Sequence, residues 1–186
     1  RSFCEIQLSE NASAHGPRGN PALWTGEAVF SVVALMIRDF APLGDRVNAA
    51  TKRMNTLPDF LLQARETLGD APLPAAWTAK ALRDCEGAAN LFRRGIGCWL
   101  ESGELSPQER STGLAAADRA LTAFRDHAAW LAARPHASQA ALPCGAAHYD
   151  LLLRAGHQCD PSRTELLAEA RSSLDDESRK LDEMAA

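Results

Sequence analysis

Four side chains in the last third of the chain have the types that bind zinc: Cys144, His148, His157 and Cys159. They form the run Cys144-x-x-x-His148 and then His157-x-Cys159. Thiolate and neutral imidazole are the usual tetrahedral zinc ligands. A separation of four also puts Cys144 and His148 on one face of a helix. Against that, Cys144 precedes the helix-starting Gly145, and the spacing matches no standard zinc pattern. The competing reading is a buried thiol and a helix-end histidine near Gly156. A nucleophile would need a base beside it. Cys85 and Cys98 fall inside a helical pattern, where free cysteine packs as a small apolar residue. His127 adjoins Asp126, but sequence neighbours on a helix do not face one another. No His-Glu-x-x-His occurs. The acidic run Asp175-Asp176-Glu177 with Asp182-Glu183 reads as a solvated helix face. Arg38, Arg46, Lys52, Arg53 and the Arg93-Arg94 pair alternate with acids and read as ordinary surface. No catalytic or cofactor-binding residue is assigned, and the metal candidates stop at those four.

Composition narrows the class. With 186 residues the chain can bury a real core, and 46% apolar against 24% charged residues argues against disorder. A net charge of −4 argues against nucleic acid, which demands a basic face. The longest apolar run, Val29 to Ile37 interrupted by Ser31, is too short to span a bilayer. Five irregularly spaced cysteines read as free thiols in a reducing, cytoplasmic setting. The chain begins at Arg1 rather than methionine, which leaves a removed signal peptide open.

These residues must be held by helices. Residues 1–20 read as irregular, with Phe3, Ile6 and Leu8 hinting at a short extended piece. Asn20-Pro21 is a cap followed by proline at the first helical position. The helix it opens, to about Phe40, is apolar nearly all round and so expects burial on most sides. Asp45 caps a shorter helix to Met54. Leu57-Pro58 breaks the chain, and Pro58 starts another helix stopped by Gly69. A long antiparallel pair over residues 73–134 forms the expected spine. Its first helix carries Gly87, Gly95 and Gly97, and Gly95-Ile96-Gly97 is a place for a kink. Its second opens at the capping box Ser106-Pro107-Gln108-Glu109, with Leu114, Ala117, Leu121, Phe124, Ala128 and Leu131 as its stripe. Residues 135–144 read as a loop. A short helix over Gly145 to Gly156 expects Tyr149, Leu152 and Leu153 inward. Asp160-Pro161 then opens a last helix striped by Leu167, Ala170, Leu174, Leu181 and Met184. Trp24, Trp77, Trp99 and Trp130 read as packing anchors. The expected fold is all-α, an up-and-down bundle of about seven helices, with residues 1–20 irregular and 21–186 the helical domain.

The order of these signals resembles a known family. Asn20-Pro21-Ala22-Leu23-Trp24-Thr25-Gly26-Glu27-Ala28, then Arg46 and Arg53, then Leu57-Pro58-Asp59-Phe60-Leu61 resemble the amino-terminal half of the bacterial domain-of-unknown-function 885 family. Gly145-Ala146-Ala147-His148-Tyr149-Asp150-Leu151-Leu152-Leu153-Arg154, Gly156-His157 and Asp160 continue the similarity, which runs from about Pro21 to the end. The resemblance implies a longer, almost entirely helical, metallopeptidase-like protein. Its metal motif, a His-Glu pair followed by Gly-His, belongs to a carboxy-terminal half that has no match here. No family ligand therefore maps onto this chain, and zinc or another divalent metal is expected only in the full-length protein. The expected partner is the rest of a parent chain, or a helical partner packing on the 161–186 helix, with no nucleic acid and no membrane. Two alternatives stand beside it: a self-contained helical interaction module without enzymatic activity, and a small zinc protein.

Overall fold

A computed structural model describes residues 2–13, 15–138 and 144–185. The chain forms two compact units: Ala14–Leu142, and Arg1–Ser13 with Pro143–Ala186. The expected loop over 135–144 falls partly outside the described residues.

The larger unit is built from α2 (Pro21–Met36), α3 (Leu43–Leu68), α4 (Ala75–Asn90), α5 (Ile96–Leu100) and α6 (Pro107–Ala132). Asn20 caps α2 by accepting from the Ala22 amide at 3.1 Å, with Pro21 in the first turn. The helix ends at Met36, before the expected Phe40. Its inner face (Ala22, Thr25, Ala28, Val32, Leu35) is buried. Its outer face is not: Leu23 and Phe30, with Ile37 and Phe40 just past the helix, stay exposed, so neighbours cover fewer sides than the apolar sequence suggested.

The break expected at Leu57-Pro58 does not occur, and α3 runs unbroken through Pro58. Interior proline costs about 3 kcal/mol. The buried residues Val47, Ala50, Met54, Leu57, Leu61, Ala64 and Leu68 keep alternating steps of three and four across it. Burying Leu57 and Leu61 on either side stabilises the unbroken helix by about 1.5–3 kcal/mol each, enough to offset the proline.

The kink expected near Gly95 is a π-helical turn, Leu91–Gly95, joining α4 to α5. The buried positions explain it. Ala88, Phe92, Ile96 and Leu100 recur every four residues, slower than the ~3.6 of an α-helix, so a straight helix would rotate them off the core. One wider turn brings them back. On α6 the capping box forms as expected: the Ser106 amide donates to Glu109 Oε2 at 2.7 Å, and the Glu109 amide to Ser106 Oγ at 3.2 Å. Of the expected stripe, Ala117, Leu121, Phe124 and Leu131 are buried, and the inner face widens beyond them. Gly113, Ala116, Ala117, Ala120, Leu121, Phe124, His127 and Leu131 face inward, and Leu114 is 47% exposed. At Gly113 an added Cβ would sit 3.1 Å from a Leu100 methyl, so α5 and α6 approach here because there is no side chain.

The expected hairpin of α4–α5 with α6 is present, yet the longest contact is between α3 and α6. They run parallel: Arg119 bonds Asn55, Arg65 reaches His127 and Arg134 pairs with Asp70, always 62–64 residues apart. α2 packs on α3 and α4, and α6 closes the square, leaving α3 and α4 on a diagonal. The segment between them crosses one end of the bundle. There Leu73–Pro74 (β1) pairs in parallel with His136–Ala137 (β2).

In the smaller unit, residues expected to be irregular fold as α1 (Ser2–Ala12). No glycine or proline interrupts them before Gly16. α1 lies against α7 (Ala146–Leu151) and a second π turn, Leu152–Gly156. Tyr149, expected inside, is 45% exposed, and His148 is buried in its place. Both π turns carry Leu-x-Arg-x-Gly. α8 (Arg163–Ala185) starts later than Asp160-Pro161, from a second capping box in which the Ser162 amide donates to Glu165 at 2.7 Å. Taking each π turn with its neighbouring helices, seven helical rods account for the described residues, an all-α fold.

Ser106→Ala should lower stability by about 1 kcal/mol in urea unfolding. Ser111→Ala should cost far less, since Ser111 bonds only the Gln108 carbonyl of its own helix. Equal losses would place the start of α6 elsewhere.

Candidate functional site

The four zinc candidates all belong to the smaller unit. α7 begins at Ala146, after Gly145 turns the backbone through φ +82, so Cys144 lies off the helix. Its thiol approaches the Gly145 carbonyl at 3.6 Å. His148 is 8% exposed, and its Nδ1 lies 2.7 Å from Ser9 Oγ on α1. His157 is exposed past the π turn, and its carbonyl faces the Cys159 thiol at 3.9 Å. Among the described residues no three His, Cys, Asp or Glu side chains gather as metal ligands.

The other nucleophile candidates separate by burial. Cys85 is 3% exposed, and burial, with Asp84 alongside, pushes its thiol up to about 12. It stays protonated and inert at neutral pH. Cys4 and Cys98 are exposed free thiols. The acidic run of α8 is a solvated face, with Asp176 paired to Arg179 and Glu177 to Lys180. Arg46, read from sequence as surface, is 7% exposed. It donates to the carbonyls of Ala41, Leu35 and Arg38, and pairs with Asp39 at 2.6 Å.

One cluster escaped the sequence reading. His127 is wholly buried on the inner face of α6, and Arg65 of α3 donates to its Nδ1 at 3.5 Å. Nδ1 is thus an acceptor, so the neutral ring carries its proton on Nε2, which is buried with no partner among the described residues. Burial first, and the Arg65 charge second, hold the imidazole down at about 4. Trp130 packs against the ring at 5.5 Å and lies under both Arg65 and Arg134. Arg134 donates to the Gly69 and Ala71 carbonyls and pairs with Asp70 at 3.1 Å, which pins the crossover between α3 and α4. Asp126, the sequence neighbour, takes no part. The inward steps of α6 through Ala120, Phe124 and Leu131 were the available signal, because they carry His127 into the core.

In this arrangement a buried neutral base and two guanidinium groups tie helices together. The fold is that of an all-α helical protein. A family model described as "Bacterial protein of unknown function (DUF885)" matches residues 7–186, and the chain belongs to that family. No curated protein and no solved structure matches it.

His127 gives a pH test. Its folded pKa of about 4 lies below the ~6.5 of an unfolded histidine, so the unfolded chain binds the proton first. Stability is therefore full above pH ~6.5 and falls as pH drops towards 4. Between pH 7 and 5 the wild type should lose about 2 kcal/mol more than His127→Leu in urea unfolding. Identical pH slopes would mean that the imidazole is not buried neutral.

Proposed function

We propose that this chain is the helical scaffold region of a larger, metallopeptidase-like hydrolase, and that its last helix packs on the remainder of that protein. The observation that carries the reading is α8. It is 23 residues long with none buried. Its stripe stays in solvent, with Leu167 at 51%, Leu174 at 67%, Leu181 at 61% and Met184 at 78% exposure. Leu167, Leu174 and Leu181 recur every seven residues, the spacing of a seam that a facing helix buries. Membership of the family supports the helical parent, and the hydrolytic activity rests on the resemblance described above. The same stripe suits a self-contained interaction module, so the test must separate the two.

Leu174→Asp should leave the melting temperature of residues 1–186 unchanged, because the side chain is exposed there. In a longer parent protein it should lower the melting temperature by several degrees. An unchanged parent would favour the interaction module. The isolated chain should show no peptidase or esterase turnover above buffer, with or without added Zn²⁺, and should bind well under one equivalent of zinc. The parent should hydrolyse its substrate and lose that activity on chelation. Metal-dependent turnover by residues 1–186, abolished by His148→Ala or His157→Ala, would overturn the reading.

A further inference from the structure

In the larger unit the exposed large apolar side chains concentrate on α2 and the turn after it: Leu23 at 42%, Phe30 at 61%, Ile37 at 63% and Phe40 at 62%. Leu23, Phe30 and Ile37 recur every seven residues, with Gly26 and Val33 between them on the same side. Beside this seam a groove of about 360 Å³ runs between α2 and α4, lined by Gly26, Val29, Val33, Gly87 and Ala88. Neither Gly26 nor Gly87 would bring an added Cβ within 4 Å of another atom, so the groove is open where both helices lack a side chain. A concave apolar trough of this kind accepts the side chains of a helix laid along it.

The charges on its borders choose the partner. Arg83, on the α4 lip, is exposed and makes no hydrogen bond or ion pair among the described residues. Asp84 beside it is already held by Lys80 and Thr25, both at 2.9 Å. Along the α3 border Arg53 donates to the Ser31 carbonyl, and Arg38 follows the end of α2. Of the acids on that side, Asp39 is held by Arg46 at 2.6 Å, and Glu27 has no ion-pair partner among the described residues. We propose that the outer face of α2, with its groove against α4, docks an amphipathic helix whose apolar stripe is flanked by acidic residues. This surface is separate from the α8 stripe and does not depend on the scaffold reading.

The test uses residues 1–186 and two labelled three-heptad peptides, identical in their leucine stripe but flanked by glutamate in one and lysine in the other. Fluorescence anisotropy should show the glutamate peptide binding at least tenfold tighter. Arg83→Glu should erase or reverse that preference. Gly87→Leu fills the groove from an exposed, unobstructed position, so it should abolish binding while keeping the melting temperature. Phe30→Ser should weaken binding at least tenfold. Equal affinity for both peptides, or binding untouched by Gly87→Leu, would overturn the proposal. Binding to phosphatidylglycerol vesicles with neither peptide bound would overturn it in favour of a lipid surface.

Discussion

Two helices that run the same way cannot be joined by a tight turn, and α3 and α6 run the same way along most of their length. Everything else in the larger unit accommodates that contact. A third helix must return the chain to the starting end between them. It does so from the opposite corner of the square, which forces the segment between α3 and α4 across the end of the bundle. A crossing segment leaves carbonyl groups without helical partners, and these need donors. Arg134 supplies them to Gly69 and Ala71. Arg46 does the same where α2 turns into α3, and Arg110 where α5 turns into α6, through the Gly103 and Leu105 carbonyls. Arginine suits the task because its planar fork carries five donors and never loses its charge.

The middle of the bundle solves a different problem. Gly113, Ala116, Ala117 and Ala120 give α6 a nearly flat inner surface over two turns. The neighbouring helices approach closely there and supply the bulk themselves, through Met54, Leu57 and Leu100. Further along, Phe124 meets Phe92 at 5.6 Å between ring centres. Close packing at one end and aromatic filling towards the other let long helices stay in contact despite side chains of unequal size.

Much of this was legible in the residues, for physical reasons that differ by element. Asn20 and Ser106 announced their helices because a cap is a local device, readable from a few neighbours. The π turn was legible as an interruption, since glycines mark it, but its kind required knowing which side faces the core. Pro58 misled because its cost is local and the compensation is not: the burial that carries α3 through it comes from helices far along the chain. Leu114 misled for a similar reason. Around it the inner face is Gly113, Ala116, Ala117 and Ala120, and small residues give little contrast between faces. The four zinc candidates illustrate the last difficulty. Gly145 takes Cys144 off α7, His148 turns to Ser9, and His157 and Cys159 lie beyond the second π turn; backbone turns of that kind leave only faint marks in composition.

The π turns also have a consequence for how this chain is compared with others. Each amounts to one residue more than an α-helix needs, absorbed without breaking the rod. A relative lacking that residue would run as a plain α-helix of nearly the same length, with the side chains downstream still facing the same way. In α5 the counterparts of Ile96 and Leu100 would still face the core. Aligned by sequence alone, the two proteins would show a single-residue gap inside a helix, the place where gaps are least expected. The recurrence of Leu-x-Arg-x-Gly in both units gives such gaps an address.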